Sequence, residues 1–129
     1  MKVYNLSLAA IRDMTRVDLA TVTEEPASAI GDFDFHGCTC GVASFIGDPP
    51  WELHNGGDEL LHVLAGESKL TILAPDGTEE TRLVREGEVV IVPRGRWHRN
   101  RAPDGVTMLY MTPTEGGAHS FDDPRHRRS

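Results

Sequence analysis

The 129-residue sequence lacks the features that anchor a protein in a membrane or export it. It has no apolar run near the roughly 18 residues of a membrane helix, and no basic stretch followed by an apolar core after Met1. It is also poor in cysteine: Cys38 and Cys40 are separated by one residue, so a disulfide between them would be strained. We therefore expect a cytoplasmic protein with two free thiols.

The chain also lacks an excess of positive charge. Its formal net charge is −7, which argues against a nucleic-acid partner. No phosphate loop, dinucleotide-binding fingerprint or covalent-nucleophile motif is present in the sequence. We expect a small-molecule partner, without nucleic acid and without a membrane.

What the sequence does contain is a series of short apolar segments separated by turns. Its length predicts one domain, and its 13 glycines and 8 prolines suit many strands and turns. Eight such segments predict an all-β fold, a double-sheet jelly roll or small barrel. The predicted strands cover residues 40–46, 51–54, 59–64, 69–73, 81–84, 88–92, 97–99 and 106–111.

Four acidic and histidine residues are spaced so that strands and turns bring their side chains together. Glu52 and His54 are two apart and so point to one face of a strand. The Asn-Gly-Gly-Asp turn that follows lets Glu59 face His54, and a Pro-Arg-Gly turn delivers His98. Carboxylates and imidazoles converging from separate strands are what a divalent metal needs, so we predict a metal site.

These motifs resemble those of the cupin family over about residues 40–112. The usual first cupin motif is His-x-His, then Glu, then Gly, and here Glu replaces the first His. Its residues in this chain are Glu52, His54, Glu59 and Gly66. The usual second motif is Gly, Pro-x-Gly and His, followed by an Asn whose position here is taken by Ala102. Its counterparts are Gly87, Pro93, Gly95 and His98.

The resemblance implies a double-stranded β-helix, the jelly-roll barrel of cupins, with an N-terminal arm. We divide the chain into an arm (1–30), a cupin barrel (31–114) and a C-terminal tail (115–129), which we expect to be flexible because Thr, Gly, Ser, Asp, Pro and Arg dominate it. In dimeric cupins an N-terminal strand often pairs with the neighbouring barrel. We therefore expect a homodimer in which residues 17–23 do so; the alternative is that they pack on their own barrel.

The resemblance implies that Glu52, His54, Glu59 and His98 are the metal ligands, and its spacing favours Glu59 over the neighbouring Asp58. Two carboxylates and two imidazoles make a harder, more anionic site than three imidazoles and one carboxylate. This favours Fe²⁺, Mn²⁺ or Ni²⁺ over Cu⁺ and is compatible with Zn²⁺.

Glu52 and His54 are the expected catalytic residues. Glu52 is either a fourth ligand or a general base beside the metal. Arg96 shares the strand parity of His98, so we expect it to meet an anionic substrate at the barrel mouth.

The expected function is that of a metal-dependent enzyme acting on an organic substrate inside the barrel. By resemblance, the candidates are an oxygenase, and a cyclase or isomerase of the kind found in aromatic polyketide pathways. The alternative is a non-catalytic cupin that binds or senses a small ligand. A storage barrel is disfavoured by the short chain and its lack of low-complexity tracts.

Overall fold

A computed structural model of the chain describes residues 1–6, 17–18 and 28–126. This part contains nine strands and one short 3₁₀ turn, Pro124–His126, and has no helix long and apolar enough to cross a membrane. The all-β expectation is confirmed. The strands are β1 (Val17–Asp18), β2 (Ser28–Phe35), β3 (Cys38–Gly47), β4 (Trp51–His54), β5 (Glu59–Leu73), β6 (Glu79–Arg85), β7 (Val89–Val92), β8 (His98–Pro113) and β9 (Gly117–Ser120).

The two longest strands, β5 and β8, organise the sheet because each pairs with different neighbours at its two ends. The first part of β5 pairs with β7 and with the last part of β8, which in turn pairs with β3. The last part of β5 pairs with β6 and with the first part of β8, which reaches β4 and then β9. The sheet therefore curls around on itself and places the beginnings of β5 and β8 close to β4.

Gly66 explains why β5 is one strand where the sequence predicts two, at 59–64 and 69–73. Its φ is +74°, and a side chain there would collide with the backbone carbonyl of Gly105. The register of β5 against β8 shifts on both sides of this glycine, so the strand bends without ending. In the same way, the segments predicted at 97–99 and 106–111 join to form β8.

The structure describes parts of both ends of the chain. In the predicted tail, Gly117–Ser120 form β9, a strand that pairs with β4, while the flexibility expected of residues 115–129 remains a prediction. At the other end, Val17–Asp18 pairs in parallel with β3 of its own chain. Residues 19–23 lie outside the described part. The division at residues 31 and 114 remains a prediction.

The core beneath the metal-ligand positions is apolar. It packs around the inward faces of β3, β5 and β8, with contributions from β6 and β7. Its members are Phe45, Leu61, Val63, Leu70, Val84, Val92, Ala102, Val106 and Met108. The strands that carry the site are therefore held by close-packed side chains, which fixes their spacing.

Candidate metal centre

Three strand ends meet where the sequence predicts the metal site. Glu52 and His54 lie on β4, Glu59 is the first residue of β5, and His98 is the first residue of β8. Glu52 and His98 are direct partners in the pairing of β4 with β8, so their side chains leave the sheet on the same face. The expected parity of Glu52 and His54 and the convergence of all four residues are observed.

The turns around these strand ends are fastened to one another. The Gly95 N–H donates to the His54 carbonyl at 2.9 Å, so the turn after β7 fixes the end of β4. Asp58, the alternative to Glu59 as a metal ligand, is exposed and accepts a hydrogen bond from the Arg94 N–H at 2.8 Å. Asp58 therefore stabilises the turn, while the side chain of Glu59 belongs to the cluster.

The four side chains form a compact cluster, with one donor atom from each lying within 4.8 Å of the others. His98 Nε2 is 3.1 Å from Glu59 Oε1 and 3.6 Å from Glu52 Oε2. His54 Nε2 is 3.2 Å from Glu59 Oε2 and 3.5 Å from Glu52 Oε2. Both imidazoles thus point Nε2 at the same pair of carboxylates, which is the arrangement that surrounds a divalent ion.

The surroundings of the two rings fit a metal. The His98 Nδ1–H donates a hydrogen bond to the Arg96 carbonyl at 3.1 Å, which orients Nε2 toward the cluster. Neither ring nitrogen of His54 makes a well-aligned hydrogen bond to any residue that the structure describes, although both are buried, and Nε2 has only its ion-pair contacts with Glu59 and Glu52. A buried imidazole nitrogen without an aligned hydrogen bond is costly, and a metal at Nε2 would satisfy that atom.

Thr112, on β8, is a supporting residue that the sequence analysis missed. Its hydroxyl donates to Glu59 Oε2 at 2.6 Å, while Glu59 Oε1 accepts from His98. Glu59 is only 4% exposed, so these contacts fix its carboxylate. Thr112 could have been identified only from the pairing of β5 with β8, because this pairing brings together residues about fifty positions apart in the sequence.

We expect Thr112→Val to weaken metal binding by about tenfold, because partners that orient a ligand typically contribute ten- to a hundredfold to affinity. Titration of metal-free protein with Ni²⁺ measures the effect. The matched control is Thr114→Val, since Thr114 bonds Thr39 and not a metal-site residue. Equal affinities in all three proteins would mean that Glu59 does not depend on Thr112.

In the absence of a metal, the histidines and carboxylates of the cluster shift one another's protonation. Burial acts to lower the pKa of both histidines, but Glu52 and Glu59 outweigh it and raise the pKa of His54 to about 9 and that of His98 to about 10. Burial acts to raise the pKa of Glu59, but the two histidines lower it below 4.5. Protons therefore occupy the histidines where a divalent ion would bind.

These pKa shifts predict how the stability of metal-free protein depends on pH. The raised histidine pKa values add stability that is complete below pH 6.5 and is lost as pH rises through about 9 to 10. The lowered Glu59 pKa adds stability above pH 4.5 that is lost as pH falls. We expect the Tm of chelator-treated protein to be highest between pH 4.5 and 6.5 and to fall toward pH 9. Ni²⁺-loaded protein should not show this alkaline decline, since metal binding improves as protons leave; a flat profile without metal would contradict the prediction.

A cavity of about 370 Å³ opens beside the cluster and includes all four of its residues in its wall. Ala43, Phe45, Leu61 and Met108 form much of its apolar wall. His119 also lines it and is the partner of Glu52 in the pairing of β4 with β9. Its position in the predicted tail kept His119 out of the predicted site.

Arg96 does not line this cavity, which corrects its expected place at the barrel mouth. Its side chain lines a separate groove with Asp76, Gly77 and Arg125. Strand parity with His98 does not apply to Arg96, because β8 begins only at His98. The arginine that does line the cavity is Arg99.

The family profile described as the cupin domain matches residues 47–112, just over half of the chain. This chain is a cupin. The match contains all four residues of the metal-site cluster, so the resemblance inferred from their spacing is confirmed. No curated protein sequence matches the chain.

Solved structures with the same fold confirm the jelly-roll barrel. Oxalate oxidase in complex with glycolate is 24% identical with a TM-score of 0.55, over 64% of this cupin and 45% of the oxidase. A protein from Neisseria meningitidis is 26% identical with a TM-score of 0.51, over 74% of this cupin and 92% of that protein. Oxalate decarboxylase from Bacillus subtilis is 16% identical with a TM-score of 0.58, over 64% of this cupin and 24% of the decarboxylase. The chain thus matches less than half the length of either oxalate enzyme.

Proposed function

We propose that this cupin is a metal-dependent enzyme that acts on an organic substrate inside its barrel. The observation that carries the proposal is the convergence of two imidazoles and two carboxylates on the wall of a 370 Å³ cavity. The ion would be held by Glu52, His54, Glu59 and His98. When bound, it would act as a Lewis acid on a substrate oxygen and leave coordination positions open to the cavity.

The residues around the ion have distinct roles in this proposal. The buried Glu59 and His98 form the fixed side of the site, since Thr112 and the Arg96 carbonyl orient them. The side chain of Glu52 is 24% exposed, against 4% for that of Glu59. Glu52 is therefore the carboxylate that can meet a substrate proton while it lies at the metal.

The reaction class within this proposal is an oxygenation, or a cyclisation or isomerisation of an aromatic polyketide-type substrate. The apolar cavity wall supports a substrate with an apolar body. The names of the oxalate oxidase and oxalate decarboxylase structures add oxidoreductase and decarboxylase chemistry on small acids as further known uses of this fold. The alternative is a cupin that binds a small ligand without turnover.

The first test is elemental analysis of protein purified without chelator. We expect about one divalent ion per chain, of Fe, Mn, Ni or Zn. Metal-loaded and chelator-treated protein are then incubated with enolisable aromatic ketones, with and without oxygen, and substrate loss is followed. Metal-dependent loss supports the enzyme; bound metal without turnover favours the ligand-binding alternative. A protein that neither contains nor takes up metal contradicts the metal-dependent enzyme and favours a ligand-binding cupin without metal.

We also propose that this cupin forms a homodimer and is cytoplasmic. In the described part, β7 pairs only with β5, and Val89 and Ile91 on this edge strand are 54% and 51% exposed. Such an edge is a site for pairing with another chain. Light scattering should give about twice the monomer mass of 14.2 kDa. A monomer mass at every micromolar concentration would contradict the dimer. If deletion of residues 1–23 converts the dimer to a monomer, the N-terminal arm contributes to the dimer interface.

A further inference from the structure

The charge of the metal-site cluster sets the kind of ligand that the cavity accepts. We propose that Glu52 makes this site selective for singly charged ligands with an apolar body and selects against small dianions such as oxalate. The inference rests on the proposed metal function, because it concerns ligands that bind to the ion. Glu52 is then the residue that determines specificity.

The first step is a charge count. A divalent ion with two neutral imidazoles and the carboxylates of Glu52 and Glu59 has a net charge of zero. With His at position 52, as in the usual motif, the same centre would have a net charge of +1. Glu52 Oε2 lies 3.5 Å from His54 Nε2 and 3.6 Å from His98 Nε2, so its charge is present whether it binds the ion or lies beside it.

The second step is that the cavity wall offers little further positive charge. Arg99 is the only arginine or lysine among the described residues that line the cavity. Its Nε donates to the Pro49 carbonyl at 3.2 Å, and its Nη2 lies 3.7 Å from Asp48 Oδ2. Because Asp48 and the Pro49 carbonyl already engage part of this guanidinium, Arg99 offsets less of the charge of a dianion at the neutral metal centre than an unpaired arginine would.

The third step is the apolar wall. Phe45, Leu61 and Met108 line the cavity, and each of these side chains belongs to the core. The volume of about 370 Å³ lies in the range of pockets that hold whole small molecules, about 300–1,000 Å³. A two-carbon acid would leave most of this wall uncovered, whereas a ring would bury it.

Three acids vary the charge and the apolar body of the ligand. Glycolate and oxalate are both small and differ by one negative charge and by a hydroxyl in place of a carboxylate, while glycolate and mandelate differ by a phenyl group. The donor difference between glycolate and oxalate is the same in wild type and in the Glu52 variants, so the comparison of these proteins isolates the charge at position 52. Calorimetric titration into Ni²⁺-loaded wild type should rank the affinities as mandelate, then glycolate, then oxalate. Burial of a phenyl group should favour mandelate over glycolate by about tenfold or more. Protein-bound Ni²⁺ is measured after each titration, so that removal of metal by oxalate is not counted as binding.

Glu52→His tests the residue directly. We expect it to raise oxalate affinity by about tenfold relative to glycolate, since it restores one positive charge to the centre. Glu52→Gln removes the same negative charge with little change of shape, so it should act in the same direction if the His variant folds poorly. Glu86→Gln, in the exposed turn before β7, makes an equal change in total charge and should alter nothing.

The outcomes distinguish this inference from the proposed function. If wild type takes up no Ni²⁺, the metal function itself fails. If wild type holds Ni²⁺ but binds oxalate as tightly as mandelate, the selectivity is wrong. If the wild-type order is as expected but neither Glu52 variant shifts it, the selectivity does not come from Glu52. The inference stands only if the order is observed and a Glu52 variant moves it while Glu86→Gln does not.

Discussion

The variant His98→Ala should bind Ni²⁺ at least a hundredfold more weakly than the wild type. A four-ligand zinc site contributes about 10–16 kcal/mol in small metal domains, so one ligand averages about 3 kcal/mol, or about a hundredfold in affinity. His98 is also completely buried, so water has poor access to replace its imidazole at the ion. Competition with a chromogenic chelator measures the affinity of both proteins.

The matched control for His98→Ala is His62→Ala. His62 lies on β5 like Glu59 but is not a member of the cluster, so its removal should leave Ni²⁺ affinity unchanged. Circular dichroism of the metal-free variants shows whether each still folds. A folded His98→Ala protein with wild-type affinity would remove His98 from the site and leave a cluster of Glu52, His54 and Glu59.

The four predicted ligands could be found from the sequence because local rules position them. Alternation along β4 puts Glu52 and His54 on one face, and glycine-containing turns place Glu59 and His98 at the starts of the next strands. Each of these steps spans only a few residues. The meeting of Glu52 with His98, which depends on the pairing of β4 with β8, was inferred from the joint spacing of the two cupin motifs. The family profile that matches the chain then confirms that these spacings belong to cupins.

The residues that support and surround the ligands could not be found in this way. Thr112 reaches Glu59 through the pairing of β5 with β8, and His119 reaches the cavity through β9. Both depend on strand register between distant parts of the chain, which no short motif specifies. Arg96 shows the opposite error, because parity was applied to a residue that lies before the strand begins.

The continuity of β5 and β8 was also hidden in the sequence. Gly66 looks like a break in an apolar segment, and only its close approach to Gly105 shows that the strand continues through it. In β8, the polar residues between 98 and 106 likewise resemble a loop in the sequence, although the strand continues through them. These bends matter for function, since they let the same two strands supply both the core and the start of the metal site.

Glu52→Gln should weaken Ni²⁺ binding on the order of ten- to a hundredfold, because Glu52 supplies both an oxygen and a negative charge to the cluster. Gln keeps an oxygen but not the charge, so the expected loss is smaller than for His98→Ala. The position is one at which the usual cupin motif has a ligand histidine. The structure sets Glu52 opposite His98 and within 3.6 Å of both imidazole Nε2 atoms. Glu52→His should restore metal affinity, since it re-creates the usual donor set.

The other role for Glu52 is that of a general base that does not bind the ion, and the same variants separate the two. A base would leave the Ni²⁺ affinity of Glu52→Gln at the wild-type value and lower only turnover. His54→Ala, measured beside it, should lose the metal in either case. If His54→Ala loses Ni²⁺ and Glu52→Gln binds it as the wild type does, Glu52 is not a ligand. Its 24% exposure at the edge of the cavity would then be that of a group that meets the substrate and not the ion.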